Sequence, residues 1–214
     1  HISEYYKETE CTSFAACGTV QTADGESIDF NLNLEMSRSY ESTLKYDRTE
    51  QVELKDPLVV NFNGSAAELT EQKYQFDLDV DGVLDWISFT GDNSGLLALD
   101  GNQDGVINDG SELFGALSGD GFADLAKQDD DGNGFIDEAD SIFAELNIWS
   151  KLDGKDRLES LQDRNIGAIY LGSTETPFDL KDADNEQHGR VRQSGVYLTE
   201  DGEVGTVQQI DMVV

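Results

Sequence analysis

Asp129-Asp130-Asp131-Gly132-Asn133-Gly134-Phe135-Ile136-Asp137-Glu138-Ala139-Asp140 is the stretch on which the reading of this chain turns. Oxygen-bearing side chains fall at its positions 1, 3, 5, 9 and 12, with a glycine at 6 and an apolar residue at 8. That order is the EF-hand pattern for a hard cation held in oxygen ligands. Carboxylates this close repel one another, and a divalent cation relieves the repulsion. A solvated acidic turn has no need of the order. Calcium is the default metal for such a donor set. Asp129, Asp131, Asn133, Asp137 and Asp140 are the expected side-chain ligands, and Phe135 the expected backbone-carbonyl ligand. Asp140 replaces the usual Glu at position 12, and its shorter arm offers one oxygen more readily than two. That substitution weakens affinity or admits magnesium.

Two further loops repeat the pattern. Asp100, Asn102, Asp104, Gly105 and Asn108 match positions 1, 3, 5, 6 and 9, with Val106 supplying a backbone oxygen and Ile107 the apolar position 8. Position 12 is Ser111, and Glu112 comes one residue late, so a loop longer by one residue is needed to deliver Glu112 to the ion. Asp77, Asp79, Asp81, Gly82 and Asp85 form a third Asp-x-Asp-x-Asp-Gly-x-x-Asp run. It leads into Trp86-Ile87-Ser88-Phe89, which reads as a strand, and its carboxylates converge if the chain turns at Gly82. About three calcium ions are therefore expected. Asn61 and Asn63 before Gly64 look like a fourth loop stripped of charge and are expected to bind nothing. Asp153, Asp156 and Glu159 lack the position-6 glycine and read as a solvated helix start.

Outward from the Asp129 loop, Phe122, Leu125 and Ala126 make a helical stripe before it, and Ile142, Phe143, Leu146 and Trp149 another after it. Helices are predicted on both sides, with Asp140 doubling as the N-cap of the second. Leu158 to Arg164 reads as one more short helix. Elsewhere the period is that of strands. Ile28, Phe30, Leu32, Leu34 and Met36 alternate with polar residues within a hairpin over 13–37, turned at Asp24-Gly25. Residues 38–55 read as a connector or an edge strand. Leu58-Val59-Val60 opens a new apolar run, and strands are predicted over 168–171, 196–199 and 204–214, the last two joined by a turn at Asp201-Gly202. The predicted class is α+β: an antiparallel β-sheet from N- and C-terminal strands with a central EF-hand-like helix-loop calcium-binding segment. Residues 1–55 form a β-hairpin region able to join that sheet, and 56–214 a calcium-binding module.

Composition narrows the partners. Asp plus Glu number 45 against 14 Lys plus Arg, a formal net charge of −31, so the surface repels nucleic acid and anionic membranes. Bound calcium would offset only part of that charge. The apolar runs are too short for a membrane-spanning helix. The acidic excess favours an extracellular or salt-exposed setting. The first residue is His1, not Met, which suggests a fragment. Cys11 and Cys17 are a disulfide candidate only if a turn separates them, because on one straight strand they would lie roughly 20 Å apart. His188 reads as a solvated loop residue. No Ser/His/Asp arrangement, phosphate-binding glycine loop or zinc spacing is present in the sequence.

Several longer pieces carry a resemblance. They are Asp56-Pro57-Leu58-Val59-Val60, Phe76-Asp77-Leu78-Asp79-Val80-Asp81-Gly82, Gly95-Leu96-Leu97-Ala98-Leu99-Asp100 and Asn108-Asp109-Gly110-Ser111-Glu112-Leu113-Phe114-Gly115. Over residues 56–214 the chain resembles calcium-binding modules of large secreted RTX-type bacterial proteins, and in particular the self-processing module of iron-regulated RTX proteins. The resemblance does not extend to residues 1–55. The resemblance implies secretion or display at the cell surface and calcium-driven folding. In the self-processing relatives the chain breaks at an Asp-Pro bond, which here is Asp56–Pro57. In that chemistry the Asp carboxylate attacks its own backbone carbonyl to form a cyclic anhydride, and the proline nitrogen leaves. The relatives are Asp-rich just after the bond, whereas this chain has Asn61, Asn63 and Ser65.

The sequence therefore supports first a calcium-binding structural module of a secreted or surface bacterial protein, folded or stabilised by its ions. A calcium-triggered autoproteolytic module with Asp56 and Pro57 as its catalytic pair is the alternative. An adhesion or interaction module, offering the N-terminal hairpin to a protein partner, is a third reading.

Overall fold

A computed structural model describes residues 4–21, 27–44, 54–62, 66–152 and 154–213. The expected turn at Asp24-Gly25, residues 45–53 of the 38–55 stretch, and Asn63, Ser65 and Asp153 lie outside the described residues, while 38–44 continue β2. Among these residues the chain begins with a long hairpin of β1 (Glu4–Gln21) and β2 (Ser27–Leu44), followed by the short β3 (Leu54–Lys55) and β4 (Leu58–Asn61). A second hairpin, β5 (Leu69–Phe76) and β6 (Asp85–Thr90), precedes β7 (Ser94–Leu99). The helix α1 (Gly121–Ala126) comes next, then β8 (Phe135–Ile136), β9 (Leu146–Leu152) and β10 (Lys155–Ser160). The chain closes with β11 (Ile166–Tyr170), β12 (Thr174–Lys181), β13 (Gln187–Thr199) and β14 (Val204–Val213).

The expected α+β class is overturned. Strands hold 59% of the described residues, and the only α-helix among them is six residues long. The molecule is built on a curled antiparallel sheet. Its order is β10-β9-β7-β4-β14-β13-β11-β8, with β12 beside β13 and β3 beside β14. The predicted helix after the Asp129 loop is a single turn, in which Leu146 N–H donates to Ile142 O at 3.1 Å, and then β9. The spacing of Ile142, Phe143, Leu146 and Trp149 satisfies a helical stripe. Yet Leu146, Ile148 and Trp149 pair with Leu99, Leu97 and Leu96 of β7, and that ladder buries both sides of β9. Long-range pairing outweighs a local period here. The predicted helix over Leu158 to Arg164 is likewise the end of β10 and one 3₁₀ turn. The C-terminal strands and the turn at Gly202 (φ +80°) do form.

Sheet pleating sorts the apolar residues into two cores. Val59, Leu96, Ala98, Trp149, Ile210 and Met212 face one side, where the β5–β6 hairpin and Phe14, Leu32, Leu34 and Met36 of the β1–β2 hairpin cover them. Leu58, Val60, Leu97, Ile148 and Val207 face the other, covered by Phe122 and Leu125 of α1 and by Phe143. Coverage on both faces is why Leu58-Val59-Val60 is an unbroken buried run and not an alternating one. The N-terminal hairpin is a separate two-stranded sheet among the described residues, joined to β12 through side chains: Thr12 Oγ1 donates to Pro177 O at 2.6 Å and Asp179 N–H to Glu10 Oε2 at 3.0 Å. Cys11 and Cys17 stand exposed on its single strand β1, so the disulfide candidate is excluded by strand geometry.

Two polar residues are buried, and one of them, His188, was expected in solvent. His188 is buried on β13, its Nδ1 3.0 Å from Ser88 Oγ and its Nε2 3.1 Å from Asp182 Oδ2. Asn61 is fully buried on β4, donating to Thr206 Oγ1 at 2.8 Å and Gln208 Oε1 at 3.0 Å while accepting from Ser94 Oγ at 2.9 Å. Such a satisfied network is what allows polar side chains inside a sheet core. Asp156 and Glu159 lie on β10, not at a helix start. Asp156 accepts from Trp149 Nε1 at 3.1 Å, and Glu159 pairs with Arg157 at 2.7 Å and with Arg164.

Candidate functional site

The three acidic loops share one backbone conformation. In the first, Asp81 N–H donates to Asp77 Oδ1 and Asp79 Oδ1 at 3.1 and 3.3 Å, Gly82 N–H to Asp77 Oδ2 at 3.0 Å, and Val83 N–H to Asp81 Oδ1 at 2.7 Å. The second repeats this with Asp104 N–H to Asp100 and Asn102 at 3.2 and 2.9 Å, Gly105 N–H to Asp100 at 2.7 Å, and Val106 N–H to Asp104 at 2.9 Å. The third does so with Asn133 N–H to Asp129 and Asp131 at 3.2 and 3.0 Å, Gly134 N–H to Asp129 at 3.0 Å, and Phe135 N–H to Asn133 at 2.7 Å. Positions 4 and 6 are left-handed in every loop: Val80, Gln103 and Gly132 at φ 61°, 59° and 72°, and Gly82, Gly105 and Gly134 at φ 87°, 83° and 85°. Position 6 is glycine because a Cβ is disfavoured there. Val80 and Gln103 hold that conformation at a cost of roughly 1–2 kcal/mol each.

This winding turns the odd-numbered side chains inward. Carboxylate oxygens of Asp77, Asp79 and Asp81 lie within 4.8 Å of one another, as do those of Asp129, Asp131 and Asp140. Asp85, at the start of β6, presents a buried Oδ2 without a hydrogen-bond partner. Burial, followed by the charges of Asp79, Asp81 and Asp77, pushes its pKa up. Clustered oxygen donors with one left unsatisfied fit a hard cation. Asp137 accepts from Asn133 Nδ2 at 3.1 Å, and the buried Asp140 closes its loop by accepting from Asp130 N–H at 2.6 Å and Asp137 N–H at 2.9 Å. Asp140 therefore caps no helix. In the second loop Glu112 reaches back, accepting from Asn108 N–H at 2.7 Å and Gly101 N–H at 3.2 Å, and Asn108 Nδ2 stands 3.1 Å from Asp104 Oδ2.

The flanking elements differ from helix-loop-helix. The Asp77 loop is the turn of the β5–β6 hairpin. The Asp129 loop runs from α1 into β8, where Ile136 pairs with Ile169 of β11. The first two loops touch: Gly110 N–H donates to Asp77 O at 2.9 Å, and a Cβ on Gly110 would collide with Leu78 O. A further acidic group, Glu8, Glu10 and Asp179, is already paired with Arg38, Lys181 and Arg190.

A second constellation surrounds the Asp56–Pro57 bond. Asp56 is buried, and its Oδ2 accepts from Arg192 Nη1 at 2.9 Å. Asp211 of β14 is buried beside it, since the strand pairs Gln209 with Leu58 and Met212 with Lys55 on either side of the bond. Ile210 N–H donates to Pro57 O at 3.1 Å. Arg192 is the extra residue of a bulge in β13, between the pairs Val191–Ile210 and Gln193–Gln209. The bulge re-aims its guanidinium at both carboxyls. Residues 115–121 wrap the other side: a Cβ on Gly115 would strike Asp56 O, and one on Gly119 would stand 3.3 Å from Asp56 Oδ2. Gln209 ties that segment down, donating to Gly119 O at 3.0 Å and accepting from Gly121 N–H at 3.2 Å. Asp56 and Pro57 are the residues the sequence singles out here, whereas Asp211 and Arg192 reach the bond through strand pairing and no local motif marks them.

Comparison with known proteins bears on the family of this chain. The family model described as SPM domain matches residues 58–213. The iron-regulated protein FrpA of Neisseria meningitidis serogroup C is 28% identical over 178 residues, covering 74% of this chain and 16% of that protein. The chain thus spans about a sixth of the length of the curated relative it matches.

Proposed function

The chain belongs to the SPM domain family, and from that premise we propose that it is a calcium-folded module of a secreted or surface bacterial protein, binding about three ions. The observation that carries this is the threefold repeat of one loop conformation. In each loop the first residue's carboxylate accepts the N–H groups of positions 5 and 6 while the odd positions point inward. Asp77, Asp79, Asp81 and Asp85 would hold one ion. Asp100, Asn102, Asp104, Asn108, Glu112 and the Val106 carbonyl would hold a second, and Asp129, Asp131, Asn133, Asp137, Asp140 and the Phe135 carbonyl a third. The ions would supply charge neutralisation that ties β5–β6, the 110–121 segment and β8 onto the sheet. Isothermal calorimetry tests the reading: it expects about three bound calcium ions per chain, and heat consistent with none would overturn it.

One observation favours a second activity, self-cleavage at Asp56–Pro57. The bond lies buried between two carboxyls and an arginine, with a glycine loop pressed on its carbonyl oxygen. The hydrogen bond from Arg192 limits the freedom of the Asp56 carboxylate, which supports attack on its own carbonyl as the first step. Glu112 stands three residues before Gly115, so order at the second calcium loop would pass directly into the segment that brackets the bond. The test is a denaturing gel after calcium addition, with pieces 1–56 and 57–214 expected. A chain still whole after hours in millimolar calcium would exclude it.

A further inference from the structure

We propose that Asp211 is the proton donor to the Pro57 nitrogen when the Asp56–Pro57 bond breaks, and that Arg192 positions both carboxyls for the exchange. The inference rests on the self-cleavage reading and extends it to two residues that lie far from the bond in sequence.

An amide nitrogen cannot leave as a free anion. It must take up a proton as its bond to carbon breaks, so a carboxylate nucleophile alone leaves the step unfinished. The register of β14 brings Asp211 opposite the bond, between the Gln209–Leu58 and Met212–Lys55 pairs. Asp211 is 7% exposed, and its Oδ1 is buried without a hydrogen-bond partner, 3.6 Å from Arg192 Nε. The same guanidinium donates at 2.9 Å to Asp56 Oδ2. Two carboxyls in contact with one shorter-range cation cannot both ionise cheaply, and a single proton divides their roles. Asp56 has the closer contact with the guanidinium and takes the nucleophilic role, and Asp211, whose Oδ1 is left without a partner, takes the role of acid. Burial, then its contact with Asp56, raises the Asp211 pKa to about 7, with Arg192 and Arg190 acting in the opposite direction. These groups, with Glu175 of β12 across an open groove that Asp211 also lines, are the charges facing it.

The step balances without an outside oxidant or reductant. An Asp56 carboxylate oxygen bonds to the Asp56 carbonyl carbon, the C–N bond to Pro57 breaks, and the Asp211 proton moves to the nitrogen, giving a five-membered anhydride, a free secondary amine and an Asp211 carboxylate. Water from the groove lined by Arg190, Arg192 and Asp211 then opens the anhydride to two carboxyls, and a proton released there restores Asp211.

The experiment is a pH series of cleavage rates in saturating calcium on the full chain, for the parent, Asp211→Asn and Asp211→Glu. The parent rate is expected to fall above about pH 7, as a required acid deprotonates. Asp211→Asn is expected to cut at least about a hundredfold more slowly, within the range that general acids contribute, and to lose that falling limb. Asp211→Glu, which keeps the acid, is expected to retain measurable cleavage with a shifted limb. Calcium stoichiometry by calorimetry checks that each variant is folded, and a variant that binds no calcium hands the decision to the other. A parent chain that never cuts would overturn the self-cleavage reading itself. A parent that cuts beside an Asp211→Asn chain with the same rate and pH profile would overturn only the role of Asp211.

Discussion

Glu112 Oε2 accepts the Asn108 N–H at 2.7 Å, and this bond returns a residue one place beyond the twelfth position to the second acidic loop. Glu112 ends a 3₁₀ turn begun at Gly110, whose own N–H bonds the first loop at Asp77 O. Loops one and two and the segment over Asp56 are therefore linked through six residues, 110–115.

Removing the Glu112 charge follows from that link. Glu112→Gln is expected to weaken calcium at the second loop on the order of tenfold or more, since the charge count of the ligands sets affinity. Calorimetry would show one of about three sites displaced to weaker binding. Unchanged binding at all sites would remove Glu112 from the ligand set.

Chelation should act on the whole fold. A ligand at a hundred times its Kd stabilises by about 2.7 kcal/mol per site, and a domain of this size shifts by roughly 2–4 °C per kcal/mol. Tm with calcium is thus expected to exceed Tm with chelator by about 5 °C or more. A difference of under about 2 °C would show that the ions are not structural.

Gly115→Ala tests the loop over the bond. Gly115 sits at φ +93° with its open face against Asp56 O. Alanine there meets both a left-handed backbone and a collision, at a cost of about 1–3 kcal/mol in urea denaturation. Cleavage at Asp56–Pro57 should slow while the calcium count is kept. Parent-like stability would mean that residues 115–121 do not press on Asp56.

Stability should also depend on pH through Asp211. Its native pKa of about 7 lies above its ordinary 3.8 because burial, then contact with Asp56, disfavours its charge. A raised carboxyl contributes its stability in full below the unfolded pKa and loses it as pH rises toward the native one. This group therefore lowers stability between about pH 4 and pH 7, and Asp211→Asn should flatten that slope in denaturant titrations. A variant with the parent's slope would show that Asp211 ionises without strain.

The acidic loops were legible because their geometry is local. Aspartates at alternate positions and glycine at the sixth fold within a few residues, using backbone N–H donors that the same segment carries. Glu112 was legible for the same reason, one residue off register. The predicted helix over Ile142 to Trp149 failed because its apolar spacing serves two structures equally, and β7 supplied a partner that no local window contains. His188 failed because Ser88 of β6, a hundred residues away in sequence, meets its Nδ1 and helps bury it, while only Asp182 is local.

By itself the sequence determined where the acidic loops lie, the strand periods of the N- and C-terminal segments, and the presence of one Asp-Pro bond. Only the tertiary structure decided that strands hold 59% of the described residues, and that β14 and a bulge in β13 carry Asp211 and Arg192 to that bond. The physical reason is range. Turn chemistry and side-chain alternation act over a few residues, whereas ladder pairing and burial of a shared carboxyl pair depend on strands that meet only after the chain has closed on itself.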